Sequence, residues 1–198
     1  LLQGAAVKRC RQRDLALRAA YVPQVRTAAV GFEVVEFIMM SRYARRPPWS
    51  APGRDDHAAV ERALGLTGTA GLRGRLLGTL SGGEAQKVSI AAALAQEAPI
   101  LLLDEPITFL DPRYQHEVNL LLKDLNRSAG LTVVAVSHDI NSAVLSSHRI
   151  LGLKHGRVAC HGLVEEVVRP EPLAELFGTE FLFVTHPHSG VPLVVPRH

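Results

Sequence analysis

A chain of 198 residues, 47% of them hydrophobic, is long enough to bury a real core, and its length favours one domain with at most an inserted lobe. Its formal charge of +3 comes from a dispersed arginine excess, densest at Lys8, Arg9, Arg11, Arg13 and Arg18, which reads as a solvated helix face and sets no expectation of nucleic-acid binding. Cys10 and Cys160 have no C-x-x-C or zinc-ligand spacing and point to neither a disulfide framework nor a metal site, and no apolar run reaches the roughly 20 residues that cross a bilayer.

From the start of the chain, Asp14 to Ala20 has a helical pattern, and Ala20 to Val22 reads as a strand ending at Pro23-Gln24. Glu33 to Met40 and Asp55 to Leu64 read as helices on either side of a rigid Arg46-Pro47-Pro48-Trp49 stretch, followed by turns at Gly65, Gly68, Gly71, Gly74 and Gly78. Residues 30–97 are taken as a small helical lobe, with Trp49 packing inside it.

Signals sharpen at Ser81, which with Glu84 three residues later makes a capping box for an Ala-rich helix running to about Glu97. Ile100 to Asp104 is continuously apolar up to its last residue, as buried parallel strands are. Asp111-Pro112 caps the next helix, Val118, Leu121, Leu122 and Leu125 form its apolar stripe, Gly130 ends it, and Leu131 to Val136 reads as a second buried strand. A helix over Ile140 to Ser147 leads into a hairpin of Arg149 to Leu153 with Val158 to Cys160. Residues 98–160 are expected to form the catalytic core.

Residues 161–198 hold two short helices and a possible strand pair, Phe181 to Thr185 with Val191 to Val195, and His186 and His188 read as solvated turn residues. No internal repeat is present, and the alternation of strands and helices predicts an α/β fold with a mostly parallel sheet.

Four features carry chemistry. Asp104 and Glu105 sit at the carboxyl end of a buried strand, where open α/β sheets bind ligands; the first suits the water shell of a phosphate-bound Mg²⁺, and the second can polarise an attacking water. Ser81, Gly82 and Gly83 open a helix with a hydroxyl, free N–H groups and a helix dipole, an anion-binding arrangement that needs no lysine. Gln24 and His138 each follow a strand and say little singly.

In this order and spacing the motifs resemble the ATP-binding subunits of ABC transporters along nearly the whole chain. The resemblance implies an ABC-type P-loop NTPase core with an inserted helical lobe. Gln24 then matches the Q-loop glutamine, Leu80-Ser81-Gly82-Gly83-Glu84 the signature motif, Asp104 and Glu105 the Walker B pair, Leu110-Asp111 the D-loop and His138 the switch histidine. It further implies ATP, with Mg²⁺ held through Asp104 and Gln24, and a second ATP-binding subunit packed head to tail whose nucleotide meets Ser81 to Glu84. Permease subunits, and indirectly a substrate-binding protein, follow as partners at the cytoplasmic face of the cell membrane.

Three departures stand out. Glu84 replaces a commoner Gln, and Ile107-Thr108-Phe109 stands where Thr-Ser-x is usual. More seriously, no G-x-x-x-x-G-K-[ST] occurs: the lysines are Lys8, Lys87, Lys123 and Lys154, and none follows Gly. With Leu1 first and methionines only at Met39 and Met40, the expectation is an N-terminally truncated cassette lacking its first strands and phosphate loop, with activity belonging to the full-length parent. The LSGGE signature, the FLD after Walker B, SHDIN around His138 and the tail resemble subunits for iron–siderophore, haem or cobalamin import, with zinc or manganese import next. A non-transport ABC ATPase of DNA repair or translation, and an inactive partner donating its signature in trans, are the alternatives.

Overall fold

The computed structural model describes residues 1, 2, 4, 6–24, 31–187 and 190–197. They form two compact units, Leu1–Val136 and Ser137–His198, divided inside the segment 98–160.

The first unit opens with helix α1 (Gln12–Ala16) and strand β1 (Ala19–Val22). The helix is shorter than its pattern predicts, because residues 19 and 20 already pair with Ile100 and Leu101 and the Gln96 carboxamide holds the Ala19 carbonyl at 3.0 Å. The basic stretch is partly structural: Arg13 donates to the carbonyls of Ala44 and Arg46 at 2.9 and 2.7 Å.

Helices α2 (Val34–Met40), α3 (Arg54–Leu66) and α4 (Gly82–Ala95) follow, then strand β2 (Ile100–Asp104), helix α5 (Pro112–Ala129) and strand β3 (Thr132–Val136). The strands run parallel in the order β1-β2-β3, so α5 is the crossover that parallel neighbours require. Period-two alternation sends Ala20, Val22, Leu101 and Leu103 to one face, where Ile90, Val118 and Leu125 cover them.

Helix α4 is apolar almost all round because it is buried on two sides. Ile90 and Ala93 meet the sheet, while Val88, Ala91, Ala92 and Ala95 join Val34, Ile38, Val60 and Leu64 in the lobe's own core. Arg42 fastens the lobe: buried, it donates to Asp56 Oδ1 at 3.0 Å, Glu97 Oε2 at 2.7 Å and the Ala95 carbonyl at 2.6 Å. Burial alone raises the Asp56 pKa, yet the bonds from the Gly53 N–H and Arg42 bring it below the usual carboxylate value.

Two expectations are corrected here. Strand β3 is an outer strand, not a buried one: Val134 and Val136 are about half exposed, on the side of the sheet opposite α4. Trp49 does not pack in the lobe but stands fully in solvent. The Ser50 N–H closes a turn onto the Pro47 carbonyl at 3.2 Å, and Trp49 occupies its third position at φ 64°, where a small residue is usual.

The second unit begins with helix α6 (Ile140–Ser146), capped by Asp139, whose Oδ1 accepts from the Asn141 N–H at 2.9 Å. Strands β4 (Arg149–Lys154) and β5 (Arg157–Leu163) form the expected hairpin, turning on His155 and Gly156 at φ 50° and 74°, the pair of positive angles that a tight type I′ turn demands. Helices α7 (Val164–Val167) and α8 (Pro170–Phe177) follow, and strands β6 (Phe181–Thr185) and β7 (Pro192–Pro196) make a second hairpin. Val144, Ile150, Val167, Leu173 and Val194 form this unit's core. His186 is half-buried, its N–H on the Val191 carbonyl at 2.9 Å, and His188 lies outside the described residues.

Candidate nucleotide site

Strand β2 carries its two acids to the carboxyl end of the parallel sheet. Asp104, its last residue, stands opposite Val136 in the register and accepts a hydrogen bond on Oδ2 from the Tyr21 hydroxyl of β1 at 3.1 Å. That bond, made by the neutral phenol to a carboxylate, holds the Tyr21 pKa above its ordinary value.

Glu105 then breaks the strand. Its N–H still bonds the Val136 carbonyl at 3.1 Å, but its φ of 47° is left-handed, which costs a non-glycine residue about 1–3 kcal/mol. Gln24, two residues past β1, donates from Nε2 to Glu105 Oε2 at 3.0 Å. Residues from the ends of two neighbouring strands thus meet at one point.

At the head of α4 the capping box is reciprocal: the Ser81 hydroxyl accepts from the Glu84 N–H at 3.3 Å, and Glu84 Oε2 accepts from the Ser81 N–H at 2.8 Å. Arg75 adds an ion pair to Glu84 at 3.1 Å. The Ser81 N–H bond, together with Arg75, holds Glu84 below the usual carboxylate range despite some desolvation. Among the described residues the N–H groups of Gly82 and Gly83 have no hydrogen-bond acceptor, which leaves the helix start with donors for an anion.

Gly83 has no room for a side chain, since a Cβ there would lie 2.3 Å from the Tyr114 ring. Tyr114 stands in the first turn of α5, its N–H on Asp111 Oδ1 at 3.0 Å, with Lys87 Nζ 5.5 Å from its ring centroid. The Ser81–Glu84 segment and the Asp111 turn are therefore packed together through one aromatic ring. Sequence reasoning missed this ring, the Tyr21–Asp104 bond and the Arg75–Glu84 pair, because none has a fixed spacing from its partner.

His138 follows β3 in the second unit, between Ser137 and Asp139, whose N–H bonds Ser137 Oγ at 3.1 Å. Among the described residues no group of three or more His, Cys, Asp or Glu side chains is arranged to hold a metal ion. One or two carboxylates beside a phosphate suffice for Mg²⁺.

The family model described as ABC transporter matches residues 1–108. The chain belongs to the ABC transporter family. It is 34% identical over 195 residues to the ferric enterobactin transport ATP-binding protein FepC of Escherichia coli, a match spanning 98% of this chain and 72% of that protein. To the iron(3+)-hydroxamate import ATP-binding protein FhuC of Bacillus subtilis it is 36% identical, covering 97% and 71%. To the hemin import ATP-binding protein HmuV of Streptomyces coelicolor it is 40% identical, covering 93% and 65%.

Among solved structures, an inward-facing ABC transporter described as of metal-chelate type superposes with a TM-score of 0.84 at 28% identity, over 91% of this chain and 73% of that one. The ABC cassette MJ0796 in its dimeric form gives 0.65 at 28% identity, over 77% and 65%. This ABC chain thus has the α/β cassette fold of ATP-binding transporter subunits. No described helix is long and apolar enough to cross a membrane.

Proposed function

We propose that this chain works as the ATP-hydrolysing part of an importer for an iron chelate, a siderophore complex or haem, with cobalamin in the same cargo class. The cargo rests on one observation, the 34–40% identity over nearly the whole chain to subunits named for ferric enterobactin, iron hydroxamate and hemin. Permease subunits at the cytoplasmic face of the cell membrane and a second ATP-binding subunit complete the assembly.

Glu105 takes the proton of the water that attacks the terminal phosphate, and Gln24 holds Glu105 in place. Asp104 and Gln24 would hold Mg²⁺: Asp104 Oδ2 accepts from Tyr21, and a carboxylate oxygen is a hard donor of the kind Mg²⁺ selects. Mg²⁺, when bound, neutralises charge on the outer phosphates. His138, two residues beyond Val136, contacts the terminal phosphate, and Ser81, Gly82, Gly83 and Glu84 close on the nucleotide of the opposing subunit beside Asp111. The 198 residues hold no G-x-x-x-x-G-K-[ST], so hydrolysis belongs to the protein or assembly that supplies that loop alongside this chain.

Uptake assays with labelled ferric siderophore, hemin, cobalamin, zinc and manganese, in cells lacking and regaining the full gene, test the cargo. Loss and recovery of iron-chelate or cobalamin uptake supports the assignment. Loss of zinc or manganese uptake alone overturns it.

A further inference from the structure

The two edges of the β6–β7 hairpin are not alike. The Arg197 N–H bonds the Glu180 carbonyl and the His186 N–H bonds the Val191 carbonyl, both at 2.9 Å. In the antiparallel register these fix which residues turn their backbone groups inward, and leave Pro192, Val194 and Pro196 facing outward from β7, and Phe181, Phe183 and Thr185 facing outward from β6.

The β7 edge is closed. Pro192 and Pro196 have no N–H, and the Asn141 carboxamide takes both groups of Val194, accepting from its N–H at 2.8 Å and donating to its carbonyl at 3.0 Å. The β6 edge is open: its three outward N–H groups and carbonyls have no partner among the described residues, and Leu182 to Thr185 are exposed. An open, apolar edge is the feature that natural sheets otherwise blunt.

We infer that the β6 edge pairs with the β6 edge of a second copy of this chain, antiparallel about a two-fold axis at Phe183. In that register Phe183 meets Phe183 of the other copy, and Phe181 meets Thr185, so every outward group of both strands finds a partner. Leu182 falls opposite Val184 of the other copy. Val195 and Leu182 of one copy then line up with Val184 and Leu193 of the other, joining three exposed apolar side chains and the partly buried Leu193 into one row. Glu180 falls opposite His186 of the other copy, so no like charges meet across the seam. Because β7 is closed on the far side, pairing stops at two copies and gives a four-stranded sheet, not a fibre.

The seam is smaller than the roughly 1,200–2,000 Å² of a self-sufficient interface, so it acts between copies already held near one another, at millimolar effective concentration. It deepens the pairing of two subunits proposed above but needs no nucleotide, so its failure and that of the ATPase assignment are separable.

The test places a photoreactive benzoylphenylalanine at Val184 of the full protein, co-expressed in its host with a second, differently tagged copy and irradiated in membranes without nucleotide. The expected result is a product carrying both tags, mapped by mass spectrometry to β6 of the second copy. It falls at least tenfold when both copies carry Phe183→Pro, which removes an outward N–H and the Phe183 ring but no hydrogen bond inside the hairpin, since Pro192 and Pro196 already stand at outward positions of β7. Should that variant fail to accumulate, Leu182→Lys takes its place and is expected to give the same fall. No product with both tags, a product mapping to another polypeptide, or a yield unchanged by either variant overturns the inference.

Discussion

Gln24 donates its side-chain N–H to Glu105 Oε2 at 3.0 Å, across the ends of strands β1 and β2. Two residues 81 positions apart in sequence thus meet, because parallel pairing of Ala19 to Val22 with Ile100 to Leu103 delivers both strands' carboxyl ends to the same end of the sheet. Replacing Gln24 by Leu removes a hydrogen bond to a charged group, worth about 1.5–3 kcal/mol, and is expected to lower kcat roughly 10- to 100-fold. Nucleotide affinity should change little. Steady-state and single-turnover ATP hydrolysis by the assembled transporter checks this split.

Glu84 places a negative charge beside the open N–H groups of Gly82 and Gly83. Glu84→Gln keeps an acceptor for the Ser81 N–H while removing that charge, and is expected to tighten ATP binding by roughly two- to fivefold, the 0.3–1 kcal/mol scale of charges at helix N-termini. The wild-type carboxylate is held below its ordinary pKa, so its contribution to stability is complete above the unfolded value near about 4.3 and is lost as pH falls through the lower folded value. Arg75→Ala should move the Glu84 titration upward, as carboxylate NMR shifts will report; an unmoved titration would remove Arg75 from this role.

The Tyr114 ring occupies the place a side chain at Gly83 would need. Gly83→Ala is expected to destabilise the first unit by about 1–3 kcal/mol through overpacking. Tyr114→Ala in the same chain should recover most of that loss, and urea melts of the four members of the cycle measure the coupling.

Arg42 donates at once to Asp56, Glu97 and the Ala95 carbonyl. Arg42→Met leaves the buried Asp56 carboxylate without its closest cation and is expected to cost about 3–5 kcal/mol at neutral pH. Arg46, 3.9 Å from Asp56, limits the damage. Thermal and urea unfolding of the lobe read out the loss.

Much of this was legible in sequence because the decisive signals are local. The Ser81–Glu84 capping box, the Asp111-Pro112 helix start, the apolar run ending in Asp104 and the His155-Gly156 turn each depend on residues a few positions apart. What was not legible depends on layers. Strand β3 reads as apolar, and only the sheet order shows that Val134 and Val136 lie on its half-exposed side. Trp49 reads as core by hydrophobicity, yet the turn at Pro47 to Ser50 sets it in solvent. Arg42, a polar residue in a lobe of apolar helices, gives no periodic signal, although it closes that lobe. The bond from Gln24 to Glu105 was not foreseen: the order of motifs singled out both residues, but neither has a local pattern that points to the other.

The most direct test of the central claim is ATP turnover by the transporter assembled with wild-type chain and with Glu105→Gln. Glu105 is assigned the proton of the attacking water, a role usually worth about 10²- to 10⁴-fold. The expected result is unchanged ATP binding with turnover lower by at least about 10². Turnover equal to wild type in the Glu105→Gln protein would contradict the assignment and with it the mechanism built on the end of strand β2.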